Sequence, residues 1–112
     1  MKEGSIVLTS MRQADGKLKP RPLLILKVMP KYNDLLVCGI SSQLSQFIEG
    51  FDEIIKSVDS DFKESGLLKS SVIRIGFLSV LPQSSISGAI GRIEDSRHKR
   101  LLKNLSDYLV TN

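Results

Sequence analysis

Two arginines and a serine in this 112-residue chain have side chains suited to holding an anionic group. Arg21 ends a basic, proline-containing stretch just before an apolar run, Ser41 closes a second apolar run, and Arg74 is a lone charge in a third. A guanidinium presents a planar fork of N–H donors that binds phosphate in a bidentate manner, which an ammonium cannot do. A serine hydroxyl can donate to a phosphate oxygen but is a poor base at neutral pH. These residue types indicate charge neutralisation at a phosphate.

The backbone around Arg21 is stiffened by its neighbours. Pro20 and Pro22 each fix their own φ and push the preceding residue toward extended geometry. Lys19 and Arg21 are therefore both predicted to be extended, with Arg21 at the mouth of a buried strand that holds its charge still.

Runs of apolar and β-branched residues bounded by turn formers predict strands. The predicted strands cover residues 5–10, 21–29, 35–41, 71–81 and 88–93, with a further extended stretch at 51–55. Between them we predict a loop at 11–20, a turn at 30–34, a short helix ending near residue 49 and a surface loop or short turn at 57–65. Apolar residues on consecutive positions in the second and third strands indicate strands covered on both faces.

A helix is predicted from Asp95, with Glu94 or Asp95 as its cap. Its predicted apolar stripe is Leu101, Leu102, Leu105, Tyr108 and Leu109, and the residues predicted to face water are Arg97, Lys99, Arg100 and Lys103. His98 falls on the apolar side, where a packed structural histidine is favoured over a catalytic one. In strand 71–81, alternation places Ile73, Ile75 and Phe77 on one face and Val72, Arg74 and Gly76 on the other.

Length and composition predict a single domain, residues 1–112, that needs neither a disulfide nor a metal to fold. The only cysteine, Cys38, lies in an apolar run, which is typical of core filling. One cysteine and one histidine exclude a metal site built from soft ligands. Because no apolar run is long enough for a signal peptide or a membrane span, we expect a cytoplasmic protein with no membrane partner.

Charge is unevenly distributed along the chain, whose formal net charge is +4. Residues 1–34 hold seven basic and three acidic side chains, residues 49–64 hold two and six, and residues 69–112 hold seven and three. An acidic middle between two basic flanks is compatible with a face that binds a polyanion and with a face covered by a partner. The elements together predict a mainly β (α+β) fold, a small β-barrel with a short internal helix and a C-terminal helix.

The order of five short motifs along nearly the whole chain resembles the MazF/PemK toxin family. The motifs are Gly4-Ser5-Ile6-Val7-Leu8, Gly16-Lys17 with Arg21-Pro22-Leu23-Leu24-Ile25, Ile40-Ser41-Ser42-Gln43, Ser71-Val72-Ile73-Arg74 and Ile90-Gly91-Arg92-Ile93. The resemblance implies an SH3-like barrel that forms a homodimer and cleaves single-stranded RNA with selectivity for sequence, without metal or cofactor. It also implies an antitoxin partner, with DNA contacted only through the antitoxin complex.

Carried over by motif, the resemblance implies catalytic roles for Arg21, Ser41 and Arg74. Cleavage without metal uses the ribose 2′-hydroxyl as nucleophile, so the protein must neutralise charge on the phosphate and manage two protons. Arg21 is expected to stabilise that charge and is a candidate proton donor, while Ser41 orients the phosphate. Residues expected to contact RNA are Lys17, Lys19, Lys31, Ser42 and Gln43. The family aspartates have no counterpart at Ser5 and Gly76, and the general base is unassigned.

Each of these residues also has a structural interpretation. Arg21 is also typical of a charged residue at a strand entrance, Ser41 of a strand end, and Arg74 of an ion pair with the acidic middle segment. The lysines are also typical of solvated surface charges. The alternative function is a non-catalytic barrel of the same fold that binds nucleic acid or a protein segment, and a third is a docking module unrelated to nucleic acid.

Overall fold

The computed structural model describes residues 2–12 and 14–111, and in this part of the chain six strands form one antiparallel sheet in the order β4-β5-β3-β2-β1-β6. The strands are β1 (Ser5–Arg12), β2 (Leu18–Val28), β3 (Leu35–Ser41), β4 (Glu53–Ile55), β5 (Ser71–Leu81) and β6 (Gly88–Arg92). The helices are α1 (Phe62–Ser65) and α2 (Asp95–Val110), and two 3₁₀ turns span Leu44–Gln46 and Gln83–Ser85. The sheet curls into a half-barrel, which confirms the predicted mainly β fold.

The bounds of β3 and β5 coincide with the prediction, whereas the long loop predicted at 11–20 is wrong at both ends, where residues 11–12 and 18–20 are in strands. β1 extends to Arg12 and β2 begins at Leu18, because the two strands pair as far as this point. Gln13 of the predicted loop lies outside the described residues. Pro20 and Pro22 are tolerated in β2 because its pairing with β3 starts only at Leu23, so one side of the strand carries no ladder there.

Alternate residues of β2 contribute to two apolar clusters, which confirms that this strand is covered on both faces. The larger cluster joins the sheet to α2 and its buried members are Ile6, Leu24, Leu26, Cys38, Ile55, Ile73, Ile75, Ile93, Leu101 and Leu105. The smaller cluster lies on the opposite face, and its buried members are Val7, Leu23, Ile25, Leu35 and Val37. Cys38 is core filling as predicted, and burial raises the pKa of its thiol.

Helix α2 packs on the sheet through a shorter apolar stripe than predicted. Leu101 and Leu105 are buried, but Tyr108 and Leu109 are mostly exposed. His98 is buried beside Gly4, in agreement with the prediction of a packed histidine, and burial lowers the pKa of its imidazole.

The prediction that Arg97 faces water is wrong. Only 6% of its surface is exposed, and its guanidinium makes hydrogen bonds to three carboxylates from the acidic middle segment. The Nε and Nη2 atoms donate to Asp61 at 2.9 and 3.1 Å, Nη1 donates to Glu53 at 2.9 Å, and Nη2 donates to Asp59 at 3.1 Å. Sequence periodicity places Arg97 outside the apolar stripe of α2. It cannot reveal that an acidic segment distant in sequence covers this side chain.

We call Arg97, Glu53, Asp59 and Asp61 the Arg97 cluster; it fastens the middle segment to α2. Burial would raise the pKa of Asp61, but hydrogen bonds from the Arg97 guanidinium and from the Glu94 amide hold it below its usual range. The prediction of a surface loop or short turn at 57–65 is accordingly wrong at its end, where the buried Asp61 precedes the four-residue helix α1. The acidic segment is an ordered part of the fold.

Candidate functional site

A cavity of about 730 Å³, here called the cationic cavity, is lined by residues of β1, β2, β3, β5 and β6 and by the segment before β5. Its charged lining residues are Lys19, Arg21, Lys69 and Arg74, and its uncharged polar ones are Ser41, Ser42, Gln43, Gln46 and Ser71. Among the residues that the structure describes, no aspartate, glutamate or histidine lines it. The cavity is therefore suited to an anionic ligand.

The three residues predicted to act in catalysis, Arg21, Ser41 and Arg74, all line this cavity. Their catalytic roles remain predictions, but the sheet brings them together from three different strands. Of the residues predicted to contact RNA, Lys19, Ser42 and Gln43 also line the cavity, whereas Lys17 and Lys31 do not.

Arg21 is held by the β1–β2 ladder, where it pairs with Thr9. Its side chain is exposed, and the two prolines around it restrict the backbone on either side. Extended geometry at this position is as predicted, although Arg21 lies within β2 and not at its start.

Ser41 is the last residue of β3, and its hydroxyl takes part in a local turn. The Oγ atom accepts a hydrogen bond from the backbone N–H of Gln43 at 3.1 Å. Because this bond uses a lone pair of the oxygen, the hydroxyl proton is left to be donated. The arrangement suits a hydroxyl that donates to a ligand oxygen better than one that acts as a base.

Arg74 lies in the middle of β5, where its backbone pairs with Gly39 of β3. Its guanidinium carbon lies over the ring of Phe77, 5.0 Å from the ring centroid, which is a cation–π contact. The structural interpretation of Arg74 as an ion-pair partner of the acidic segment is wrong, since no ion pair joins Arg74 to a carboxylate in the described part of the chain. None of the four cavity cations makes an ion pair with another described residue.

The alternation predicted for β5 fails beyond Ile75 because the strand bulges. Arg74 pairs with Gly39 of β3, and the next paired residue of β5, Leu78, pairs with the adjacent Cys38. Residues 75–77 therefore have no partner in β3. Phe77 is consequently 53% exposed. The buried carboxylate of Asp52 accepts a hydrogen bond from the Ile75 N–H at 3.0 Å and so satisfies a backbone donor that the bulge removes from the ladder.

Gly76, the position at which the resemblance implies an aspartate, lines neither this cavity nor the second cavity described below. A Cβ atom at this position would lie 3.1 Å from the Cε2 atom of Phe51. The backbone of the bulge thus directs this position toward Phe51 and away from Arg21 and Ser41.

The segment that precedes β5 supplies cavity residues that sequence reasoning missed. Lys69 adds a fourth cation, and Leu67 and Leu68 form an apolar part of the wall. Leu68 is 98% exposed. The sequence marks this segment only as the end of a polar stretch, and the segment follows α1, which packs against β6.

Among residues 2–12 and 14–111, no cluster of histidine, cysteine, aspartate and glutamate side chains has the arrangement needed to hold a metal ion. No helix in the same part of the chain combines the length and the hydropathy required to cross a bilayer.

Three comparisons with known proteins bear on this site. A family model described as "PemK-like, MazF-like toxin of type II toxin-antitoxin system" matches residues 2–109. Among solved structures, the Mycobacterium tuberculosis toxin MazF-mt6 superposes with a TM-score of 0.64 at 21% sequence identity, over 96% of this chain and 98% of that one. The comparison with curated protein sequences gave no match.

Proposed function

Because this chain belongs to the family of PemK-like, MazF-like toxins of type II toxin-antitoxin systems, we propose that it is an endoribonuclease that cleaves single-stranded RNA at the cationic cavity. Toxins of this family are generally endoribonucleases. The observation that carries the proposal is the convergence of Arg21, Ser41 and Arg74 on one cavity with four cations and, among the described residues, no carboxylate.

The proposed reaction is attack of the ribose 2′-oxygen on the adjacent phosphorus. A bond forms from the 2′-oxygen to phosphorus, the bond from phosphorus to the 5′-oxygen breaks, and the products are a 2′,3′-cyclic phosphate and a 5′-hydroxyl. Negative charge accumulates on the non-bridging oxygens in the transition state, and fixed donors aimed at them lower the barrier. Arg21 and Arg74 supply guanidinium donors on β2 and β5, and the Ser41 hydroxyl donates from β3.

The two protons of this reaction are handled differently. Arg21 is the candidate donor to the leaving 5′-oxygen. In the described part of the chain no carboxylate or imidazole lines the cavity, so water takes the proton of the 2′-hydroxyl. This predicts a modest rate compared with nucleases that have a positioned base, because a general base contributes about 10²- to 10⁴-fold.

We propose that the reaction needs no metal. Divalent cations in proteins are bound chiefly by carboxylate oxygens, imidazoles and thiolates, and the described lining of the cavity has none of these groups. Lys19, Ser42 and Gln43 would contact RNA within the cavity, and Lys17 and Lys31 would follow its backbone beyond the cavity.

The finer features of a toxin are part of the same proposal. They are selectivity for an RNA sequence, a homodimeric cytoplasmic form, neutralisation by an antitoxin, and contact with DNA only within the antitoxin complex. The cationic and partly apolar cavity supports two of these features, RNA selectivity and neutralisation by an antitoxin, because a single-stranded nucleic acid and a competing protein segment could both enter it.

The test is cleavage of an unstructured RNA by the purified protein with and without EDTA. We expect the same fragments in both conditions, each ending in a cyclic phosphate. Arg21→Ala should lower the rate about 10²- to 10³-fold, which is the usual loss when one donor to a transition-state oxyanion is removed. Lys99→Ala is the matched control, since Lys99 is exposed on α2 and outside the cavity. Fragments that disappear with EDTA would contradict metal independence, and an unchanged rate for Arg21→Ala would contradict the site.

The second candidate function is RNA binding without cleavage. It is favoured by the absence of any carboxylate or imidazole from the described cavity lining and by the orientation of Gly76 toward Phe51. The two functions separate in one experiment: a binder should give salt-sensitive RNA affinity, no fragments at any protein concentration and no arrest of bacterial growth on induced expression.

A further inference from the structure

A second cavity, of about 400 Å³, lies beside the cationic cavity and differs from it in chemistry. Its lining residues are Thr9, Ser10, Leu23, Val37, Phe77, Ser79, Leu81, Ser85 and Ser87. Five of them carry hydroxyl groups, the other four are apolar, and no charged side chain among the described residues lines it. We call it the neutral cavity. Its volume falls within the range of about 300–1,000 Å³ that is common for small-ligand sites.

Phe77 marks the border between the two cavities, because it and Leu23 line both. The ring can occupy this position only because residue 39 is glycine. A Cβ atom there would lie 2.7 Å from the Cδ1 atom of Phe77, a distance that side chains do not tolerate. The missing side chain at Gly39 therefore leaves room for the ring, the Arg74 guanidinium lies over it, and more than half of the Phe77 surface stays exposed.

A nucleotide of single-stranded RNA is complementary to these two neighbouring cavities. An anionic phosphate stands next to a neutral, planar base whose edge has hydrogen-bond donors and acceptors. Exposed aromatic rings are the usual stacking surfaces for such bases, and hydroxyl groups can either donate to or accept from a base edge.

We propose that Phe77 is a stacking platform for the nucleobase next to the phosphate in the cationic cavity, and that the neutral cavity receives this base. The proposal rests on the function proposed above and names a residue that helps to determine its selectivity. The hydroxyls of Ser10, Ser79 and Ser87 are available to read the base edge, while Thr9 already donates to the Ser85 carbonyl at 2.8 Å and stiffens the wall. A base is favoured over an apolar protein segment because the neutral cavity is rimmed by hydroxyls and continues into a cavity suited to phosphate.

The test measures affinity for short 2′-fluoro RNA oligonucleotides, which cannot be cleaved by 2′-hydroxyl attack, in a series with one abasic site moved along the strand. Base stacking on an aromatic ring corresponds to about 5- to 100-fold in affinity. Phe77→Leu should weaken binding of the complete strand by that factor. The weakening should vanish when the abasic site occupies one particular position, because the variant and the abasic strand then lack the same contact.

Two variants serve as references. Phe77→Tyr keeps the aromatic ring and should retain wild-type affinity. Tyr108→Leu removes an exposed aromatic ring that lines neither cavity, and it should leave affinity unchanged. Thermal unfolding of each variant shows that loss of affinity is not loss of fold.

The outcomes separate the stacking proposal from the nuclease proposal. Equal affinity of Phe77→Leu and wild type for every strand would overturn the stacking platform even if RNA is cleaved, as would an equal loss at every abasic position. Base-dependent stacking without cleavage of unmodified RNA would retain the platform and reject the nuclease. Unchanged RNA affinity together with altered self-association of Phe77→Leu would assign the ring to a contact between copies and overturn the proposal.

Discussion

Arg97 is buried and Arg74 is half-buried, and the two guanidinium groups have different kinds of partner. The donors of Arg97 are satisfied by three carboxylates and a backbone carbonyl, whereas the guanidinium of Arg74 lies over a phenylalanine ring and has no carboxylate partner in the described part of the chain. An arginine whose donors are all satisfied within the fold stabilises the fold. One whose donors point into an open cavity can bind a ligand.

The largest expected effect is on the first of these arginines. Arg97→Met should destabilise the protein by about 3–5 kcal/mol, because removing one partner of a buried ion cluster leaves uncompensated buried charge. Urea unfolding at pH 7 measures the loss. Arg100→Met is the matched control on the same helix: Arg100 is exposed and pairs with the same Glu53, so its loss should stay below about 1 kcal/mol. Equal losses for the two variants would remove the distinction between the Arg97 cluster and a surface ion pair.

The second prediction is that Arg74, unlike Arg97, matters for RNA cleavage and little for stability. Arg74→Met should leave the free energy of unfolding within about 1 kcal/mol of wild type, since Arg74 breaks no ion pair when it is replaced. The rate of RNA cleavage should fall about 10²- to 10³-fold through loss of a donor to the phosphate. Unfolding and single-turnover cleavage are measured on the same preparation. A variant that loses stability and keeps activity would show that Arg74, like Arg97, stabilises the fold and does not bind the ligand.

The smallest predicted effect concerns acid. The pKa of Asp61 is below its usual range in the folded protein, so the stability it contributes is present above the unfolded pKa of about 3.9 and is lost as pH falls through the folded value. His98, whose pKa is lowered by burial, adds an earlier loss as pH falls below about 6.5. The free energy of unfolding should therefore begin to fall below about pH 6.5 and fall again below about pH 3.9, as measured by urea unfolding at a series of pH values.

Arg97→Met sharpens this pH test. In that variant the buried carboxylate of Asp61 lacks its cation, so its protonation becomes more favourable and the difference in free energy of unfolding from wild type should narrow below about pH 4. A difference that stays constant with pH would mean that Asp61 draws no stability from Arg97.

Much of the fold was predictable because its signals are local. The apolar runs that end at Ser41 and Leu81 are bounded by polar residues or proline, and both strand ends coincide with the prediction. The failures involve contacts between distant segments. Strand pairing, not local polarity, decides that residues 18–20 are in β2, and the bulge in β5 turns Phe77 outward.

The candidate site was also predictable where its residues belong to short motifs, and not where they depend on contacts between distant segments. Arg21, Ser41 and Arg74 were identified from residue type and motif order, and the sheet brings them to one cavity. Lys69 was missed because it belongs to no motif, and Asp52 because its support of the bulge depends on a hydrogen bond across 23 residues of sequence. Nothing in the sequence distinguishes the surroundings of Arg97 from those of Arg100, since both occupy polar positions of one helix.

Because the acidic segment is bound to α2, its negative charge is kept apart from the cationic surface that an approaching polyanion meets. The two lysines and six carboxylates of residues 49–64 give that segment a formal charge of −4, so the remainder of a chain whose total is +4 carries +8. Two of those positive charges, Arg97 and Arg100, pair with the segment, and among the described residues the other six in excess do not. The carboxylates that engage Arg97 line neither cavity. RNA is therefore attracted to a surface considerably more basic than the overall charge suggests, and association should slow steeply as added salt screens it.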